Sequence, residues 1–138
     1  MTEVFRFDSE DDSETVLIKV ARDGRFQVYL RDPYRFYWSE RAAYTVWMER
    51  ADLIGLSGAL SNGGEGIFGI SNFWYTSTIK VKPPWPATKS RRIRVFNRRL
   101  IAGQIFWTEI SGSAIDALSS FVAEFFGGTA ALAEASQA

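Results

Sequence analysis

The sequence predicts an α+β domain: an antiparallel β-sheet or half-barrel of about six to seven strands, closed by one C-terminal amphipathic helix. Three observations lead there. Short segments alternate apolar and polar residues at the two-residue period of a half-buried strand. Turn residues, above all Asp23-Gly24 and Pro83-Pro84-Trp85-Pro86, separate these segments. A clean helical period occurs once, after Ser113. Strands joined by short turns pair antiparallel, and a single amphipathic helix must bury its apolar stripe on a sheet face.

Taken in order, Glu3–Phe7 predicts a first short strand, and Asp8–Glu14 reads as a solvated acidic turn. Val16, Ile18 and Val20 share one strand face, as do Phe26, Val28 and Leu30. Asp23-Gly24 between them is a hairpin turn, because glycine accepts the positive φ that a two-residue loop requires. Asp32-Pro33 breaks the second strand, and Tyr34–Trp38 reads as another. Over Ser39–Arg50 helix and strand compete: Ser39 and Arg41-Ala42 suit a helix start, whereas Tyr44, Val46 and Met48 alternate with Thr45 and Trp47, which favours a strand. The glycines of Asp52–Leu60 argue against a helix there, and Ser61–Gly66 reads as a loop.

Ile67–Val81 predicts one long strand, with Phe73, Tyr75, Ser77, Ile79 and Val81 on one face and Trp74, Thr76, Thr78 and Lys80 on the other. It ends at Pro83, since proline cannot continue a ladder. Arg92–Phe96 and Leu100–Trp107 flank Asn97-Arg98-Arg99 as a second hairpin. In the final helix Ser113 is the expected cap with Asp116 three residues on, Ile115, Leu118, Val122 and Phe125 form the stripe, and Gly127-Gly128 is the stop. A chain of 138 residues with 46% hydrophobic residues, eleven Phe, five Trp and five Tyr fits one domain, here 1–128, followed by an Ala-rich tail, 129–138.

The formal net charge is zero, yet the charge is segregated. Residues 1–65 hold twelve acids and eight bases, residues 66–107 eight bases and no acid, and residues 108–138 four acids and no base, or −4, +8 and −4. Such a local positive field attracts a polyanion or docks onto acidic segments of the same or another chain.

Catalysis has little support. With no His and no Cys, the usual proton shuttle, the thiolate nucleophile and the commonest metal ligands are missing. Carboxylates alone would restrict a metal to hard ions, and no spaced Asp cluster with a turn glycine is present. Glu40, Glu49, Asp52 and Glu65 lack a partner at diagnostic spacing, and Ser57 lacks both a nucleophile elbow and an activating base. Gly64-Glu65-Gly66-Ile67-Phe68-Gly69 resembles the glycine-rich loop of protein kinases, with Lys80 or Lys82 on the following strand. The His-Arg-Asp and Asp-Phe-Gly segments of those enzymes are absent, and the dinucleotide version fails because a strand follows the glycines. No cofactor is expected.

The expected function is therefore binding rather than catalysis: single-stranded nucleic acid or another polyanion, held by a basic sheet face with aromatic rings. The residues expected to carry it are Trp74, Lys80, Lys82, Trp85, Arg92, Arg94, Arg98 and Arg99. Such a face pairs phosphate-tracking cations with rings on which bases stack. Under the plainer reading Phe73, Tyr75, Phe96, Phe106 and Trp107 are core, and the cations protect a sheet edge from unwanted pairing. The alternative function is assembly, either homo-oligomerisation or an adaptor role, using apolar surface left over from 21 aromatic residues. Neither a signal-peptide pattern nor a run of membrane-spanning length is visible, so a cytoplasmic location without membrane attachment is expected.

Overall fold

The computed structural model describes residues 1–10, 14–31, 43–84 and 89–127. Ten elements follow one another: β1 (Thr2–Asp8), β2 (Thr15–Val20), β3 (Phe26–Arg31), β4 (Ala43–Met48), α1 (Arg50–Asn62), β5 (Gly66–Ser71), β6 (Tyr75–Val81), β7 (Arg91–Arg99), β8 (Ala102–Ile110) and α2 (Gly112–Phe125). They form two four-stranded antiparallel sheets, β1-β2-β3-β4 and β5-β6-β7-β8, each a simple meander followed by a helix. The α+β class and antiparallel pairing agree with the sequence. The single sheet of six to seven strands and the single helix are corrected to two sheets and two helices. The Tyr34–Trp38 strand, Trp85 and the 129–138 tail fall outside the described residues.

The helices cross over between the halves. Helix α1 packs on β5 and β6 of the second sheet, α2 packs on β1 of the first, and α1 and α2 pack on each other. One apolar core joins both sheets, with Val16, Ile18, Val28, Val46, Met48, Ile79, Ile93, Val95 and Leu118 among its buried members. The edge strand β4 lies against the inner face of the second sheet, where its outward-facing polar groups find side chains. Trp47 N–H donates to Ser77 Oγ (3.1 Å) and Asn97 Nδ2 donates to Thr45 O (3.1 Å). An edge that would otherwise be a template for pairing is thereby satisfied inside the molecule.

Several boundaries differ from the sequence reading, each for a local reason. The Ile67–Val81 strand is really the hairpin β5–β6. Asn72 Oδ1 accepts the N–H groups of Trp74 and Tyr75 (both 2.9 Å), and this side-chain turn reverses the chain within a run of strand-like aromatics. Helix α1 forms despite Gly55 and Gly58 because Leu53, Leu56 and Leu60 are buried on one stripe and Glu49 and Asp52 make a capping box. Gly63 (φ 71°) ends it in the left-handed conformation, so Ser61 and Asn62 belong to the helix and not to the loop. The Asp23-Gly24 hairpin exists, with Gly24 at φ 88°, but its loop covers residues 21–25 rather than two. In β7–β8 the turn falls at Leu100-Ile101, beyond Asn97-Arg98-Arg99. Helix α2 is capped by Ser111, whose Oγ accepts Ala114 N–H, and not by Ser113. Over Ala43–Met48 the strand reading holds, with Tyr44, Val46 and Met48 buried. Glu14, expected in a solvated turn, is 4% exposed and accepts from Ser111 N–H (3.0 Å) and Oγ–H (2.6 Å).

Candidate functional site

Alternation along β6 and β7 sorts the basic residues by face. Ser77, Ile79 and Val81 of β6 and Arg91, Ile93, Val95 and Asn97 of β7 face inward, which leaves Lys80, Arg92, Arg94 and Arg98 on the outer face. Register places Ile67, Lys80, Arg94 and Trp107 side by side across the four strands, and Arg92 opposite Glu109. Lys82, just past β6, holds its Nζ 5.0 Å from the centroid of the Trp107 ring. Trp107 is 57% exposed, with Ile67 and Ile105 similarly open on the same face. The described residues thus bring Lys80, Lys82, Arg92 and Arg94 onto one surface beside an unburied indole, with Glu109 as the acid within it.

Edge protection does not account for these cations. In the order β5-β6-β7-β8, Lys80, Arg92 and Arg94 occupy the two central strands, whose backbone groups are already paired on both sides. Lys80, Lys82 and Arg94 form no ion pair among the described residues, and Arg94 Nε has no hydrogen-bond partner there.

The remaining predicted residues lie elsewhere. Trp74 is not beside Lys80 and Lys82: it sits at the tip of the β5–β6 hairpin, 65% exposed, edge-on to Phe73. Arg98 is a staple between hairpin tips. Its guanidinium donates to Phe73 O, Leu100 O, Asn72 O and Thr76 Oγ1 at 2.7–3.1 Å, while Leu100 N–H donates to Trp74 O. Arg99 alternates to the opposite side of β7 and lines a cleft between the sheets. Trp85 lies outside the described residues.

Arg91, which the sequence leaves indistinguishable from its neighbours, is structural. It is 3% exposed and donates to Ala59 O, Leu60 O, Gly64 O and Lys82 O. Helix α1 has no basic residue in its last turn, so Arg91 supplies from another strand the cation that its carbonyl end favours. Burial pulls the Arg91 guanidinium below the usual arginine value, with Glu65 pulling the other way. Trp107, which the plainer reading places in the core, is instead exposed on the outer face. Its offset of one from buried Thr108 in an alternating strand is the pattern that exposes it.

Two glycines of the run have a packing role. Gly66 begins β5 and leaves room for the Phe68 ring, and Gly69 adopts φ 140° where any side chain would collide with Ser77 O. Among the described residues, no group of three or more potential metal-ligating side chains occurs and no helix is long and apolar enough to cross a membrane. Comparison with family models, curated proteins and solved structures finds no match.

Proposed function

We propose that the outer face of the second sheet binds single-stranded nucleic acid, with other polyanions sharing the electrostatic part of the interaction. The observation that carries this reading is the cluster of Lys80, Arg92 and Arg94 on central strands, with Lys82 just past β6, beside the exposed Trp107. Cations on a flat, already hydrogen-bonded surface can follow a phosphate backbone, and an open indole offers a stacking platform of about 1–3 kcal/mol per base. Four phosphate contacts give a slope of roughly −3 for log affinity against log salt on a single strand. Titration with a mixed-sequence oligonucleotide at low salt should quench tryptophan fluorescence, and Trp107→Leu should remove most of the change. Lys80→Glu with Arg94→Glu should weaken binding at least about tenfold and flatten the salt slope. A fluorescence signal that stays flat at low salt rejects the proposal.

A second reading has its own support. Phe73 (77% exposed), Trp74, Leu100 and Ile101 (101%) crowd two neighbouring hairpin tips held together by Arg98. An apolar patch of this kind suits a protein contact. If it joins copies of this chain, light scattering should give a multiple of the monomer mass that Phe73→Ser with Ile101→Ser returns to the monomer.

A further inference from the structure

On the far side of β7 from the cationic face, residues of both sheets line an open cleft of about 650 Å³. Gln27 and Trp47 line it from β3 and β4, Tyr75 and Asn97 from β6 and β7, and Arg99 and Gln104 from the β7–β8 hairpin. Its volume lies in the range of about 300–1,000 Å³ in which proteins hold small molecules. We propose that this cleft binds a nucleoside monophosphate.

The lining chemistry points to that class. Three carboxamides converge on one space, each able to offer a donor and an acceptor side by side, as the edge of a nucleobase demands. Asn97 has committed Nδ2 to Thr45 O, which fixes its amide and leaves Oδ1 as an acceptor. Trp47 and Tyr75 provide flat apolar surfaces for a planar heterocycle, and the Trp47 ring is held by the Arg25 guanidinium 5.2 Å from its centroid. Arg99 is exposed at the mouth and makes no ion pair among the described residues, which suits a phosphate. No Asp or Glu lines the cleft, so nothing there repels an anion. A bare anion would use Arg99 and leave three carboxamides idle, whereas an uncharged base would leave Arg99 idle. A nucleoside monophosphate uses both. Arg98 also lines the cleft, but its guanidinium is spent on Phe73 O, Leu100 O, Asn72 O and Thr76 Oγ1. Lys80, Lys82, Arg92 and Arg94 do not line it, so the proposal does not rest on the cluster of the outer face.

Isothermal titration with AMP, CMP, GMP and UMP, each against inorganic phosphate as competitor, tests the proposal on the full chain. At least one nucleotide should bind 1:1 more tightly than phosphate. Arg99→Gln should weaken it tenfold or more, and Gln104→Ala should change the ranking of the four bases. Both positions are exposed, and unchanged circular dichroism verifies the fold. Lys80→Glu with Arg94→Glu should leave nucleotide binding as it was, so failure of the cleft and failure of the outer face are read separately. Absence of binding by all four nucleotides at millimolar concentration, equal affinity for phosphate alone, or indifference to Arg99→Gln would each overturn the proposal.

Discussion

Three arginines within nine residues do three different jobs. Arg91 closes the carbonyl end of α1, Arg94 faces solvent on the cationic surface, and Arg98 ties two hairpin tips together. Identity could not separate them, because alternation and the position of the neighbouring helix decide which way each points. Replacing Arg91 by Met should strand four carbonyls at a largely dry site. At about 1–3 kcal/mol for each unsatisfied buried group, partly relieved by water, a net loss of roughly 3 kcal/mol is expected, seen as a Tm lower by about 10 °C. An equal loss for Arg92→Met, which lies exposed one residue away, would contradict this assignment. Asp23 offers a pH test at the same scale. The Arg25 backbone N–H, then its side chain, holds the Asp23 carboxyl below the usual aspartate range. The folded hairpin therefore favours the deprotonated form, so its contribution is complete above the ordinary aspartate range and is lost as pH falls through the depressed folded value. A carboxyl NMR titration of Asp23 should show that depressed midpoint, and Arg25→Ala should return it only in part, since the backbone donor remains.

At the scale of elements, β3 was legible because a two-residue period held over six positions fits a pleated strand and does not fit a helix, and in β4 the alternation of Tyr44, Val46 and Met48 outweighed the competing helix signals. Helix α1 was not. Its two glycines lower intrinsic helix preference, and the stabilisation that overrides them comes from burying Leu53, Leu56 and Leu60 in the core, where α1 packs on the following hairpin β5–β6 and on α2, about fifty residues away. Gly55 contributes by proximity, since a Cβ there would stand 2.7 Å from the Phe68 ring. Leu53→Ala should cost about 2–5 kcal/mol in denaturant unfolding, whereas Ala51→Ser on the exposed side should cost well under about 1 kcal/mol. Gly69→Ala is expected to be worse than its size suggests. It combines a φ of 140° with a collision against Ser77 O in the ladder between β5 and β6, so the lost pairing should appear as faster amide exchange of Ile70 and Thr78. Unchanged exchange there would show that β5 can shift without consequence.

The whole molecule is a four-strand-plus-helix unit used twice, over Thr2–Asn62 and Gly66–Phe125, with the helices exchanged between sheets. The register shows how the halves differ. Phe26 pairs with Met48 at the end of β4, and Arg91 pairs with Ile110 at the end of β8. Phe26 meets Phe125 and Phe126 at the end of α2, while the matching Arg91 meets the end of α1. The same position is filled by an apolar contact in one half and by a charge on carbonyls in the other. The charge also divides by half: Arg6 pairs with Glu3 and Asp8 on β1 and Arg25 with Asp23 in the β2–β3 loop, while Lys80, Lys82 and Arg94 belong to the second half. Oligonucleotide protection from chemical modification should therefore map to Lys80 and Lys82, with Lys19 of the first sheet reacting at the same rate with or without the strand. Equal protection of Lys19 would show that the charge asymmetry does not direct binding.

What the linear order of residues settled by itself was the strand-rich antiparallel class, the terminal amphipathic helix and the +8 segment. Each of these rests on periodicity or composition, which are local and survive without knowledge of contacts. Contacts between segments far apart decided the rest: two sheets in place of one, a glycine-bearing helix stabilised by the opposite half, and which cations share a surface with an open indole. A side chain's face is set by register and by what packs on the other side, and both come from residues a chain reading cannot place next to it.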